Sequence, residues 1–282
     1  MTPLFRYFGS HAYETLSKQR LMTSRVSGFN DPFELLYSAK RTLTPAEAAA
    51  QIQNRLADPA FQAALKDARI TAGPDQVQRM VTQPHVVEAL ISKHAENVEH
   101  GLKERLQNAD DTLRLICFSS AQACPLDEIL MWSHYANKHR GHRIGFKIPE
   151  SPTNVYRIDP VDYSASRIQA DYTGDFNDPV FREAMIKSIN TKSLAWKYEN
   201  EFRLTIKPWR CVSDTVNGKV GHFLPIEPDW VVRVDCGLHS DPSEDARIVA
   251  IVKKRYPRAR VYKAQFHLTD YSTEYALIHP DA

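Results

Sequence analysis

The sequence predicts an α+β fold: a mixed, mainly antiparallel central sheet, possibly split, with a helical insertion on one side. Stretches with strand character crowd both ends of the 282-residue chain, and helical stretches gather in an early block. The regular strand–helix alternation of a doubly wound fold is absent. Glycine is scarce, at ten residues, and neither a GxGxxG loop nor a Walker loop occurs. An apolar content of 43% and a charged content of 25% are ordinary for a globular protein. A single domain over residues 1–282 with a helical insertion at about 44–107 accounts for the length.

In chain order, Leu4 to Phe8 reads as a short strand. Ser10 is placed to N-cap a helix through about Gln19, and Leu21-Met22-Thr23 reads as a second strand. In Gly28-Phe29-Asn30-Asp31-Pro32-Phe33-Glu34, Asn and Asp before Pro make a turn, and the flanking phenylalanines suggest a loop pinned into a core. Asn30, Asp31 or Glu34 then lines a pocket, or the turn is purely structural. Thr44-Pro45-Ala46-Glu47 has the capping-box arrangement. Helices follow to about Gln107, restarting at Asp58-Pro59, Gly73-Pro74 and Gln83-Pro84. The insertion would act as a lid, a partner surface or a bulky cap.

Leu113 to Ser119 is the clearest buried strand. A helix from about Leu126 to Lys138 follows, with Gly141 placed to end it in the left-handed conformation. Strands fit Arg143 to Ile148 and Val155 to Tyr163, then a polar loop from Asp171 to Asn177 and a helix from Pro179 to Lys192. Further strands fit Gly221 to Ile226 and Trp230 to Asp235. Asp241-Pro242-Ser243-Glu244 caps a helix to about Tyr256, and strands at Arg260 to His267 and Glu274 to Ile278 close the chain.

A net charge of +2 is too small to argue for nucleic acid or an anionic membrane. The start, Met1 to Tyr7, lacks the pattern of a signal peptide, and no run of apolar residues is long enough to span a bilayer. The four cysteines form no CxxC pair, so free thiols in a reducing, cytoplasmic setting are expected. HExxH and GxSxG are absent. His134, His139 and His142 miss the i, i+4 spacing of a helical two-histidine site, and no metal is expected.

The most informative stretch is Trp196-Lys197-Tyr198-Glu199-Asn200-Glu201-Phe202-Arg203. Read as a strand, it points Trp196, Tyr198 and Phe202 one way and Lys197, Glu199, Glu201 and Arg203 the other. Paired carboxylates can repel, so that one takes a raised pKa and works as acid or base. Alternatively Arg203 neutralises them in a structural ion pair, or the charged face simply meets water. Tyr135 and His139, four apart, would share a face at a helix end and supply polar groups to a pocket.

Phe29 to Glu34, then Met131-Trp132-Ser133-His134-Tyr135-Ala136 with His139 and Gly141, then Trp196 to Arg203 occur in that order. Together they resemble a large, mainly bacterial family known as a domain of unknown function, DUF2971. That resemblance implies a cytoplasmic protein, with some relatives encoded near mobile elements or phage-defence genes. A second resemblance is to ADP-ribosyltransferases, carried by Glu199-x-Glu201 late in the chain and Arg6 or Tyr7 on the first strand. It implies NAD as substrate and a protein or nucleic-acid acceptor. Glu201 would hold the ribose hydroxyl and steady an oxocarbenium-like centre, while Glu199 would activate the acceptor. Arg6, Tyr7, Asn30, Asp31, Tyr135 and His139 would line the NAD site. A Ser-Thr-Ser-like middle strand is not evident. Two other readings stand beside it. One is a non-catalytic binding or sensor module whose motifs brace one another in a hydrogen-bonded core. The other is a metal-dependent nuclease built from Asp31, Glu34, Glu199 and Glu201.

Overall fold

The computed structural model describes residues 2–31, 33, 38–39, 44, 46–47, 50, 54, 58–59, 79, 83–120, 125–150, 155–170, 179–216 and 218–279. The chain falls into two compact units. One comprises Met1–Leu35, Gln107–Arg167 and Lys187–Ala282, the other Leu36–Leu106 and Ile168–Ile186.

The strands are β1 (Leu4–Phe8), β2 (Arg20–Met22), β3 (Ser38–Ala39), β4 (Arg114–Ser120), β5 (His142–Phe146), β6 (Tyr156–Pro160), β7 (Asp162–Ser164) and β8 (Gln169–Ala170). They continue with β9 (Thr191–Ser193), β10 (Glu201–Ile206), β11 (Val212–Val216), β12 (Lys219–Pro225), β13 (Val231–Cys236), β14 (Arg260–Phe266) and β15 (Thr273–His279). The helices used below are α1 (Ala12–Lys18), α2 (Pro84–Thr112), α3 (Pro125–Tyr135), α4 (Pro179–Ile189) and α5 (Pro242–Arg255). The fold is α+β, as expected. Of the second unit, the parallel pair β3–β8 is described, together with a capping box in which the Glu47 amide donates to Thr44 Oγ1 at 3.3 Å. The Thr44 amide returns a bond to Glu47 Oε2 at 2.8 Å. Helix α2 starts at Pro84, the expected restart. Glu34, Gly73-Pro74 and the Asp171–Asn177 loop lie outside the described residues.

The first unit is built on an eight-stranded sheet in the order β15-β14-β13-β5-β1-β4-β10-β6. Its pairs are antiparallel except β13 with β14, which are parallel. A parallel pair needs a crossover, and α5 supplies it between Cys236 and Arg260. Asp241 starts that helix as expected, accepting a bond from the Ser243 amide at 2.8 Å.

Directly paired residues share a face, and the two faces of the sheet differ sharply. One face is apolar. Ile116, Ile144, Leu204 and Val234 pack there with Leu16 of α1 and Ile248 and Val252 of α5 in one fully buried cluster. Each such side chain contributes roughly 1.5–3 kcal/mol through its removal from water. The other face carries Glu201 and Arg203 on β10, Tyr7 on β1, Arg143 on β5 and Asp235 on β13. The four charged residues of this set are buried too. Helix α3 packs at this face, with Trp132 edge-on to Tyr7 at 5.3 Å.

Three local expectations are corrected. Ser10 is not the cap of α1: His11 holds the cap position in a left-handed conformation, φ 68°, with no side-chain cap bond. Gly141 does not end α3 by turning left-handed. Asn137, Lys138 and His139 do so, at φ 48°, 56° and 65°, and Gly141 serves a close backbone crossing instead. Phe33 is not pinned in a core, being 60% exposed with Arg167 stacked 4.9 Å from its ring centre. Cys117, Cys211 and Cys236 are free thiols. Among the described residues no helix is long and apolar enough to cross a membrane.

Candidate functional site

The stretch Trp196–Arg203 is not one strand. Ser193 Oγ accepts a bond from the Ala195 amide and opens a 3-10 helix over Leu194–Glu199. Asn200 then turns left-handed, φ 43°, and β10 begins at Glu201. Period-two alternation therefore fails between Glu199 and Glu201. Both carboxylates still end on the same inner side, because the left-handed residue swings the helix back over the strand. Glu199 and Glu201 are each 4% exposed and Arg203 is 0% exposed, so the charged side is the buried one.

A residue from β9 completes the cluster. Lys192 Nζ lies 2.6 Å from Glu199 Oε2 and 3.1 Å from Glu201 Oε2. Arg203 donates from Nε to Glu201 Oε1 at 2.9 Å and from Nη2 to Glu201 Oε2 at 3.3 Å. The Tyr135 hydroxyl donates to Glu199 Oε1, and Asn30 Nδ2 donates to the Tyr135 hydroxyl at 3.4 Å. The Glu201 amide donates to the Tyr163 hydroxyl at 2.8 Å. Phe29 lies 5.2 Å from the Arg203 guanidinium, measured to the ring centre. Outside this closed set lies an aromatic rim. Trp196 and Tyr198 have ring centres 6.1 Å apart, and His134 lies 6.0 Å from Tyr198.

The electrostatics follow from this packing. Burial works against the Lys192 ammonium, yet Glu201 and Glu199 outweigh it and raise its pKa. Burial pushes the Glu201 carboxyl up despite the pull of Lys192, and the charge on Glu199 adds to the rise. Burial lowers the Arg203 guanidinium to about 10, which leaves it charged at neutral pH. Burial and Glu199 raise the Tyr135 phenol, so it stays a neutral donor. The two acids and two bases cancel, and every carboxylate oxygen of the pair is engaged within the protein.

The structure thus brings Asn30, Tyr135, Glu199 and Glu201 together and places the other sequence candidates elsewhere. Arg6 donates to the Met22 carbonyl at 2.9 Å. Asp31 serves its own turn by accepting from the Phe33 amide at 2.9 Å. His139 stacks on Trp132, with ring centres 6.3 Å apart. Its Nε2 lies 3.0 Å from Ser133 Oγ. Ser133 Oγ also lies 2.8 Å from the Ile129 carbonyl, so its hydroxyl has two neighbours to choose between. Nδ1 is a buried nitrogen with no partner among the described residues, and burial together with His239 holds this imidazole's pKa down.

Tyr7 belongs to a second buried network that sequence reading missed. Arg143 donates to Asp235 at 2.8 Å, to the Tyr7 hydroxyl at 3.1 Å, and to Glu128. Tyr275 also donates to Glu128 and accepts from Trp132 Nε1 at 3.0 Å. Burial pushes the Tyr7 phenol up to about 12. The available signal was the alternation of charged and apolar residues in Arg233-Val234-Asp235, on a strand that lies inside the sheet.

A third cluster joins α5 to the sheet. His142, Cys236 and Asp245 bring potential metal-ligand atoms within 4.8 Å of one another. Asp245, however, is satisfied by His142 at 2.9 Å, Ser240 at 2.8 Å and the Lys263 ammonium at 2.9 Å. Burial holds Cys236 as a protonated thiol, and the Lys263 ammonium supplies positive charge at Asp245. Burial pushes the Asp245 carboxyl up, but the bonds from His142, Lys263 and Ser240 prevail and hold it at about 2. A carboxyl with a depressed folded pKa stabilises above its unfolded value, about 3.9, and that stability fades as pH falls to the folded value. Chemical unfolding should therefore show wild type losing stability between about pH 4 and 2 more steeply than Asp245→Asn.

Residues 131–204 match the model of a family described as "Protein of unknown function (DUF2971)". The resemblance seen in the sequence is thereby shown for the segment that holds the Trp132–Gly141 and Trp196–Arg203 motifs, while the Phe29–Glu34 turn lies outside the match. No curated protein and no solved structure matches the chain.

Proposed function

We propose that this chain is a non-catalytic binding or sensor module whose paired glutamates form a scaffold. The observation that carries this reading is the burial of the pair, with a protein partner on each oxygen. Glu199 and Glu201 are buried, and their four oxygens are taken up by Tyr135, Lys192 and Arg203. A carboxylate that is to hold a ribose hydroxyl, activate an acceptor or ligate a metal must offer an oxygen to it. Here the oxygens hold the protein instead. They lock the turn at Asn30, the end of α3 and the 3-10 helix into one unit, which fixes Asn30, His134, Tyr135, Trp196 and Tyr198 as a rigid polar and aromatic rim. Pre-ordered aromatic side chains are well suited to recognition because little entropy is lost when they bind.

The test separates this reading from an ADP-ribosyltransferase-like enzyme. Incubation with NAD should release no nicotinamide, while Glu199→Gln and Glu201→Gln should each lower Tm by roughly 5 °C or more. Nicotinamide release that disappears in Glu201→Gln at unchanged Tm would overturn the module and establish NAD cleavage.

A further inference from the structure

The end of β4 remote from the glutamate pair sets two arginines against each other. Arg114 opens that strand opposite Ile206 of β10, so it lies on the apolar face of the sheet, and it is only 4% exposed. Ser24 bridges to Leu115 through both backbone bonds, at 2.8 and 3.0 Å, and Arg25 beyond it is extended. The residues next in register are Arg25 and Arg114, which therefore stand opposite each other on one side. Like charges so placed are destabilising. The same side continues into the small sheet β11-β12-β2. There the Thr23 amide and hydroxyl both donate to the His222 carbonyl at 2.9 Å, and His222 Nδ1 lies 3.3 Å from Ser213 Oγ on β11.

Little in the protein answers this charge. Arg25 is exposed and makes no hydrogen bond or ion pair among the described residues. Arg114 donates from Nη1 to the Asp110 and Leu113 carbonyls at the end of α2, both uncharged acceptors, and its Nε is buried without a partner among the described residues. The carboxylates that reach Arg114 are committed elsewhere. Asp110 takes the Ser27 amide on one oxygen, at 2.9 Å, and the Ser27 hydroxyl on the other, while Asp111 accepts from Gln107 at 3.4 Å. Burial and the charge of Arg25 hold the Arg114 pKa down against the weaker pull of Asp110 and Asp111. Burial, Arg114 and Arg25 hold the His222 imidazole down as well.

We propose that Arg25, Arg114 and His222 form a binding site for a phosphate group, free or carried by a small molecule. A phosphate between the two guanidinium groups turns their repulsion into charge-assisted hydrogen bonds, for which the planar guanidinium fork is matched. The His222 imidazole and the Ser213 hydroxyl stand on the same side as further polar partners. The affinity falls as ionic strength rises, since Arg25 reaches solvent.

Thermal unfolding of the full chain in inorganic phosphate and in chloride at equal ionic strength tests the proposal. At about ten times its Kd, phosphate should raise Tm by about 2 °C or more beyond chloride. Phosphate also stabilises proteins by exclusion from their surface, but that effect acts alike on wild type and variant. Arg25→Gln alters an exposed side chain and removes the repulsion, so it should be at least as stable as wild type in chloride. By calorimetric titration it should bind phosphate about tenfold more weakly, the factor for loss of a charged hydrogen bond. Equal phosphate shifts in wild type and Arg25→Gln would overturn the site. So would a variant less stable than wild type in chloride, because Arg25 would then be held by the protein itself. Glycerol 3-phosphate separates the two sources: tighter binding than the free ion marks an ester as the ligand, equal binding marks the ion, and either supports the site. The substitution leaves the glutamate network intact, so either conclusion can fall without the other.

Discussion

Replacing Lys192 with methionine is expected to cost about 3–5 kcal/mol of unfolding free energy, the usual penalty for removing one partner from a buried ion cluster. The side chain is only 4% exposed, and it is the group that touches both glutamates, at 2.6 and 3.1 Å. Methionine restores much of the volume, so the loss would report charge and not a cavity. Arg203 would still neutralise Glu201, but Glu199 would keep only the Tyr135 hydroxyl among the groups that bond it here. A double-mutant cycle sharpens the test: Lys192→Met with Glu199→Gln should be more stable than Lys192→Met alone, since the stranded charge is gone. A double variant less stable than Lys192→Met by the full cost of Glu199→Gln alone would mean that the two residues are not coupled. The pH dependence has a definite sign. Lys192 has a raised pKa in the folded protein, so its contribution is complete below the unfolded lysine value, about 10.4, and fades as pH rises towards the folded value. In denaturant titrations, wild type should lose stability above that pH more steeply than Lys192→Met.

Lys192 also shows where the sequence stops being legible. The buried strand at Leu113–Ser119, the α5 cap and the capping box at Thr44 followed from local chemistry, and they stand as expected. The glutamate pair was visible as a pattern, but its environment was not. A lysine seven residues before Glu199 on a three-residue strand has no periodic relation to it, and only the β7–β9 pairing and the 3-10 helix deliver it there. Burial decided a second question that the sequence left open. Charged residues alternating with apolar ones imply a wet face when one side of a sheet is open. In this unit α1 and α5 cover one side and α3 packs on the other. The alternation on β10 and β13 therefore encodes two buried ion networks, not a solvated surface. The Asn30–Tyr135–Glu199 chain joins motifs 105 and 64 residues apart, and nothing local reports such contacts.

Substituting Gly141 with alanine is expected to be the most damaging of the small changes, for a reason no charge argument supplies. An added Cβ would stand 1.9 Å from the Phe8 carbonyl oxygen and 2.9 Å from its carbon, both backbone atoms. The neighbouring chain has no room to yield. The Gly141 amide is bonded to the Ala136 carbonyl at 2.8 Å, and the Gly141 carbonyl accepts the Gly237 amide at 2.9 Å. Gly237 is equally confined, since a Cβ there would meet the His139 oxygen at 2.3 Å. The end of β1, the turn after α3 and the end of β13 thus cross with backbone against backbone. That crossing fixes the run of left-handed residues from Asn137 to His139, and so the exit of the helix that carries Tyr135 to Glu199. Alanine at position 141 should cost at least about 3 kcal/mol, at the severe end for overpacking, or prevent folding. Gly9 provides the control on the same crossing. Its Cβ would meet Asn137 at an ordinary 3.5 Å, so Gly9→Ala should change stability by less than about 1 kcal/mol. Urea unfolding of both variants decides the matter: equal midpoints would show that the crossing has slack, and that Tyr135 is held by its hydrogen bonds alone.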